Sequence, residues 1–157
     1  MSRNCNLKCK PCTRTNEHGN IKLETYIDLL DEYQGIIPWI KLQGIGEPFL
    51  HPQIYSLARM AKYKYNYKVM IITNGTILPK INAFDRLIFS IDTIDPDRYN
   101  FMRGGDVNLV LHNLRECYKN RFPVEINCVQ TKYNTVDDVN NIIELGYLLN
   151  IPCNVVP

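Results

Sequence analysis

Two hydrophobic rhythms alternate along this chain. Val69-Met70-Ile71-Ile72 and Leu87-Ile88-Phe89 are unbroken apolar runs, which suit parallel strands buried on both faces. On that basis residues 40–43, 69–73, 87–91 and 124–129 are predicted as strands, and another strand starts at 153–156. Between these runs the spacing turns helical. Leu23, Tyr26, Ile27 and Leu30 repeat at i, i+3, i+4 and i+7, and so do Ile54, Leu57, Ala58 and Ala61. Pro52 suits the first position of that second helix. Val107, Val110, Leu111 and Leu114 form a third stripe, and Val139, Ile142, Ile143 and Gly146 a fourth. Thr135 and Asp138 are spaced as a capping pair for the fourth helix. Residues 77–84 hold Pro79 and leave room only for a brief helix. Strands alternating with helices predict an α/β fold in a single domain, residues 1–157. Periodicity does not choose between an open doubly wound sheet and a barrel.

Composition narrows the partners. The 18 basic and 16 acidic residues leave a net charge of +2, which argues for neither nucleic acid nor an anionic membrane. Lys62, Lys64 and Lys68 interleave with Tyr63, Tyr65 and Tyr67. This reads as a solvated helix end leading into a strand, and the alternative is an RNA-contacting patch. No apolar run has the length of a membrane span, and residues 1–12 lack the apolar stretch of a signal peptide. The expected compartment is the cytoplasm, where thiols stay reduced.

That expectation bears on the six cysteines. Cys117, Cys128 and Cys153 are scattered and read as small buried hydrophobes. The other three stand in Cys5-Asn6-Leu7-Lys8-Cys9-Lys10-Pro11-Cys12, a C-x3-C-x2-C run. Three thiolates on one loop can grip three corners of an iron–sulfur cube and leave its fourth iron open. Zinc on the three cysteines and His18 is the alternative. A second pattern points the same way. Polar and glycine residues follow each predicted strand: Gly44 to Glu47, Thr73-Asn74-Gly75, Ser90 with Asp92, and Gln130-Thr131. In parallel α/β folds and barrels the C-terminal strand ends carry the active site.

The cysteine run resembles the signature of the radical S-adenosylmethionine (SAM) superfamily. Gln43 to Pro52, containing Gly44, Gly46 and Glu47, looks like the glycine–glutamate segment that binds the SAM amine in that family. Thr73-Asn74-Gly75 is similar to its turn after the third strand. Ser90-Ile91-Asp92 looks like the pair that contacts ribose. Tyr99 to Gly105, with Met102-Arg103-Gly104-Gly105, resembles a segment whose arginine reaches the SAM carboxylate, and Ile126-Asn127 through Asn134 looks like the fifth strand and its turn. The resemblance implies a [4Fe–4S] cluster on Cys5, Cys9 and Cys12. It implies SAM held by Gly44, Gly46, Glu47, Asn74, Ser90, Asp92, Arg103 and Asn127. Glycines would allow close backbone approach to SAM. The Cys12 loop and residues 126–129 would offer apolar contact to adenine.

The implied activity is reductive cleavage of SAM to a 5′-deoxyadenosyl radical that takes hydrogen from a peptide or small metabolite. Electrons would come from a flavodoxin or ferredoxin. The implied fold is a partial (β/α) barrel of five to six units, truncated relative to the usual core. Its first strand is nearly absent and its C-terminal unit incomplete, so a second chain or domain would complete it. The motif style is closest to the peptide- and protein-modifying branch, without that branch's C-terminal cysteine-rich extension. Pro11 stands where the family often has an aromatic or larger apolar residue.

Each motif also has a plainer reading. Asn74-Gly75 is an ordinary turn pair. Asp92 is placed to cap a helix leading from Asp95-Pro96. Arg103 precedes a Gly-Gly turn. His51 precedes or caps the helix at Pro52. The competing functions are a non-catalytic metal module and a degenerate core that binds a partner.

Overall fold

The computed structural model describes residues 1–13 and 18–157. Helix α1 (Leu23–Tyr33) leads into β1 (Trp39–Leu42), and α2 (Ile54–Arg59) follows, closing in a π-helical turn at Met60–Lys64. Then come β2 (Lys68–Thr73), β3 (Arg86–Ser90), α3 (Pro96–Arg103), α4 (Val107–Lys119), β4 (Val124–Val129), α5 (Val136–Leu149) and β5 (Cys153–Val156). All the strands named from the sequence are present, shifted by at most one residue. Residues 77–84 form no helix.

The five strands pair in the order β1-β2-β3-β4-β5, every neighbour parallel. A doubly wound sheet would reverse its order at a switch point. This one never does, so the alternative left open by periodicity is decided for the barrel type. Winding in one direction with right-handed crossovers puts successive helices on one side of the sheet.

Burial alternates accordingly. Val69, Ile71, Leu87, Phe89, Val124, Ile126 and Cys128 join Leu57, Ala58, Val110, Leu114 and Ile142 from the helices in one core. The other side of the sheet is more polar. There Arg86 forms a two-pronged ion pair with Glu125 across β3 and β4, and Ser90 sits beside Asn127 in register.

Local chemistry explains the helix ends. Thr135 and Asp138 form the full capping box expected of them. Asp95 caps α3 by accepting from the Arg98 N–H at 2.8 Å. The alternative cap, Asp92, is engaged elsewhere. Helix α2 starts at Ile54, two residues later than Pro52 suggested, and His51 Nδ1 accepts from the Gln53 N–H at 3.1 Å.

The Lys/Tyr stretch is not an aromatic platform. Tyr65 and Tyr67 are buried, and the Tyr67 hydroxyl donates to the Leu30 carbonyl at 3.0 Å. Lys62 pairs with Asp85. Cys117 and Cys128 lie in the core, where burial pushes both thiols up to about 12. No helix among the described residues is long and apolar enough to cross a membrane.

Candidate cluster and SAM site at the strand ends

The N-terminal arm reaches the rim by lying along the segment after β1. The Gly46 N–H donates to the Ser2 carbonyl at 3.0 Å, and the Glu47 N–H to the Asn4 carbonyl at 2.7 Å. Ser2 also bridges Asn20 in antiparallel fashion. This short pairing is all the lead-in strand the described residues contain. It also revises what the glycines do. A Cβ on Gly44 would stand 2.4 Å from the Ser2 carbonyl oxygen, and one on Gly46 2.3 Å from that of Asn4. The close approach that requires glycine here is made by the chain's own arm.

Beyond the arm, the cysteine loop crosses to the C-terminal end of α3. The Lys8 N–H donates to the Arg103 carbonyl at 3.3 Å, and the Lys10 N–H to that of Met102 at 2.8 Å. The last carbonyls of a helix lack partners within it, and the loop supplies them. Leu7 is buried and packs where a Gly105 side chain would stand. The Cys9 thiol lies 3.9 Å from the Arg103 carbonyl. On the other side, the Asn74 amide donates to Cys5 Sγ at 3.8 Å and to Asn6 Oδ1 at 3.0 Å. One loop is therefore tied to the ends of both β2 and α3.

All six cysteines are thiols rather than disulfides. Burial pushes the Cys9 thiol above its ordinary range. The Arg103 charge pulls it back, while Cys5 and Cys12 push it further up. The three N-terminal thiols thus lie within electrostatic reach of one another. Among the described residues, no three His, Cys, Asp or Glu side chains crowd closely enough to share a single metal ion. The His18 ring contacts Asn4 Oδ1 at 3.3 Å. The zinc set of three cysteines and His18 is therefore not gathered around one ion. Three soft donors on one short loop are the kind of donor set that an iron–sulfur cube takes.

Two buried carboxylates frame this loop. Glu47 accepts from the Phe49 N–H at 3.1 Å, the Thr73 hydroxyl at 2.8 Å and the Asn74 N–H at 2.7 Å. It thereby locks the turn after β1 to the turn after β2. Asp92 Oδ2 accepts from Arg103 Nε at 2.9 Å, while its Oδ1 accepts from the Val129 N–H at 2.9 Å. Arg103 also donates to the Ser90 hydroxyl at 2.8 Å. Burial works against the Arg103 charge, yet Asp92, Tyr99 and Cys9 outweigh it and hold the guanidinium above its usual range.

Ser90, Asp92 and Arg103, read from the sequence as separate ligand contacts, are thus one hydrogen-bonded cluster beside the cysteine loop. Both Asp92 oxygens are spent on the protein. Asn127 is half-buried, and its carbonyl accepts from the Ile91 N–H at 2.9 Å. Tyr99 opens the segment that the sequence marked, but no role was assigned to it there. It lies one helical turn before Arg103, a spacing that puts both on one face of α3. Its ring is beneath the Arg103 guanidinium at 5.9 Å, and burial pushes its phenol up to about 12.

With this geometry in view, comparison with known proteins is informative. A family model described as the Radical SAM superfamily matches residues 1–146. The GTP 3′,8-cyclase of Alkaliphilus oremlandii (strain OhILAs) is 30% identical over 157 aligned residues, covering 90% of this chain and 49% of that protein. SuiB of Streptococcus suis, solved bound to S-adenosylmethionine, superposes with a TM-score of 0.82 at 20% identity, covering 98% of this chain and 38% of SuiB. SuiB bound to its precursor peptide SuiA gives a TM-score of 0.83 at 20% identity, with 98% and 37% covered. At that identity the likeness to SuiB is one of fold. The chain spans about half the length of the curated relatives it matches. Members of the matched family use a [4Fe–4S] cluster and SAM. On the extent of the family match, this chain belongs to the radical SAM superfamily.

Proposed function

We propose that this chain is the cofactor-bearing core of a radical SAM enzyme, with a [4Fe–4S] cluster on Cys5, Cys9 and Cys12. One observation carries the proposal: the cysteine loop is tied to the rim at two points, at Cys5 to Asn74 after β2 and at Cys9 to the Arg103 carbonyl at the end of α3. Cys5, Cys9 and Cys12 would hold the cluster, which would supply one-electron reduction of SAM there.

The protein's part is placement. Arg103 presents a fixed cation to the SAM carboxylate, and Asp92 holds that cation in place. Ser90 and Asn127, neighbours on β3 and β4, offer polar atoms to the ribose. Asn74 steadies the Cys5 side of the loop. Glu47, Gly44 and Gly46 seat the arm and turn that carry the cysteines, and so act as positioning residues. The Cys12 loop and β4 border the space left for adenine. Substrates differ among proteins that share this core: one relative is a GTP 3′,8-cyclase, and SuiB is solved with a precursor peptide. An external one-electron donor of the flavodoxin or ferredoxin type, and further polypeptide beyond the five strands, complete the enzyme.

Anaerobic reconstitution with iron and sulfide tests this reading. The wild-type protein should take up iron and sulfide, and its electron paramagnetic resonance signal should change on adding SAM. With a reductant it should release 5′-deoxyadenosine. Cys9→Ala should lose the cluster and the cleavage together. A Cys9→Ala protein that keeps both would refute the assignment.

A further inference from the structure

One polar atom beside the cysteine loop has no role in the account so far. Tyr99 is fully buried, and its hydroxyl has no hydrogen-bond partner among the described residues. A buried hydroxyl without a partner costs about 1–3 kcal/mol, so such a group usually meets something that the folded chain alone does not provide. The surroundings narrow the choice. The Tyr99 ring packs against the position of Gly105, 3.4 Å from where a Cβ would stand, and Leu7 of the cysteine loop flanks the same glycine. The Arg103 guanidinium lies 5.9 Å from the ring centroid, and the charges that reach the phenol are those of Arg103, Cys9, Asp92 and Asp106. Arg103 directs its Nε and Nη2 donors to Asp92 and Ser90.

Cys9 changes character on ligation. As a thiol its hydrogen points to the Arg103 carbonyl. A cysteine that binds iron does so as thiolate, which accepts hydrogen bonds and donates none. The carbonyl contact then loses its proton, and the sulfur becomes an acceptor.

We propose that Tyr99 is a positioning residue whose hydroxyl donates to the Cys9 sulfur once that cysteine is bound to the cluster. This inference rests on the cluster assignment proposed above. Hydrogen bonds to ligating sulfur favour the more negative, reduced form and raise the reduction potential. The phenol is an orphan in the apo chain and a partner in the loaded one.

Tyr99→Phe keeps the ring and removes only the hydroxyl. In anaerobically reconstituted protein, the variant should hold as much iron and sulfide as wild type. Its cluster midpoint potential, followed by a redox titration of the visible absorbance, should shift to more negative values. The apo variant should melt at the same temperature as wild type or higher, since an unpaired buried hydroxyl has been removed. A fully loaded variant with an unchanged potential would overturn the proposal while leaving the cluster assignment standing. So would an apo variant that melts lower, because the hydroxyl would then have a partner within the fold. A wild-type protein that takes up no iron would overturn both.

Discussion

Glu47, on the cysteine side of the rim, and Asp138, at the start of α5, are both buried carboxylates with several hydrogen-bond donors. Their protonation goes opposite ways. Glu47 sits deep, and burial pushes its carboxyl above the ordinary range despite the Asn74, Phe49 and Thr73 donors. Asp138 is buried less deeply. Burial raises it too, but the Thr135 N–H, the Thr93 and Thr135 hydroxyls and the Arg98 guanidinium together hold it below the ordinary range. Neutral donors alone do not offset depth, whereas a shallower seat with a cation does. The turn after β1 is therefore held by a carboxyl that burial drives toward its neutral form, and the start of α5 by one that its donors keep ionised.

Gly46→Ala should strike hardest, because it acts through the backbone next to Glu47. The new Cβ would fall 2.3 Å from the Asn4 carbonyl. Displacing that arm should cost about 3 kcal/mol, as overpacking does, and should lower iron uptake in reconstitution. An alanine variant that melts and loads iron like wild type would remove the arm from the account.

Glu47→Gln comes next. An amide offers one acceptor oxygen where three donors now converge on two, so a buried N–H loses its partner at about 2 kcal/mol. The pH signature is more telling. Above the ordinary carboxyl value of 4.5, folded Glu47 holds a proton that the unfolded chain has released. Stability therefore falls as pH rises through that window, and Glu47→Gln should flatten this part of a urea-unfolding series.

Asp138→Asn should have the smallest effect, about 1 kcal/mol for a weakened cap, with the opposite pH sign. Its depressed carboxyl contributes stability that is present above 3.8 and lost as pH falls through the folded value. The variant should therefore lose part of the acid limb. If both variants changed the pH dependence with the same sign, the contrast between the two carboxyls would be wrong.

The fold was largely legible because its signals are local. Buried parallel strands read as apolar runs, and amphipathic helices as stripes; Thr135 and Asp138 announce a cap through spacing alone. Helix α3 was harder to see. Of its eight residues only Tyr99, Met102 and Arg103 are buried, and a charged residue on the inward face breaks the usual stripe. The candidate site was legible as a set of residue types but not as a set of partnerships. Ser90, Asp92 and Arg103 each look like a ligand contact when read singly. That they bond one another depends on β3 and α3 meeting in space.

The order of elements, the thiol spacing and the family resemblance were determined by the sequence by itself, because each depends on neighbours within a few residues along the chain. Contacts between distant segments settled that the sheet winds one way without reversing, that Gly44 and Gly46 accommodate the arm, and that the buried Tyr99 hydroxyl has no partner among the described residues. Those facts arise where segments distant in sequence come within a van der Waals radius of each other. No local pattern encodes which backbone will occupy the space that a missing side chain leaves.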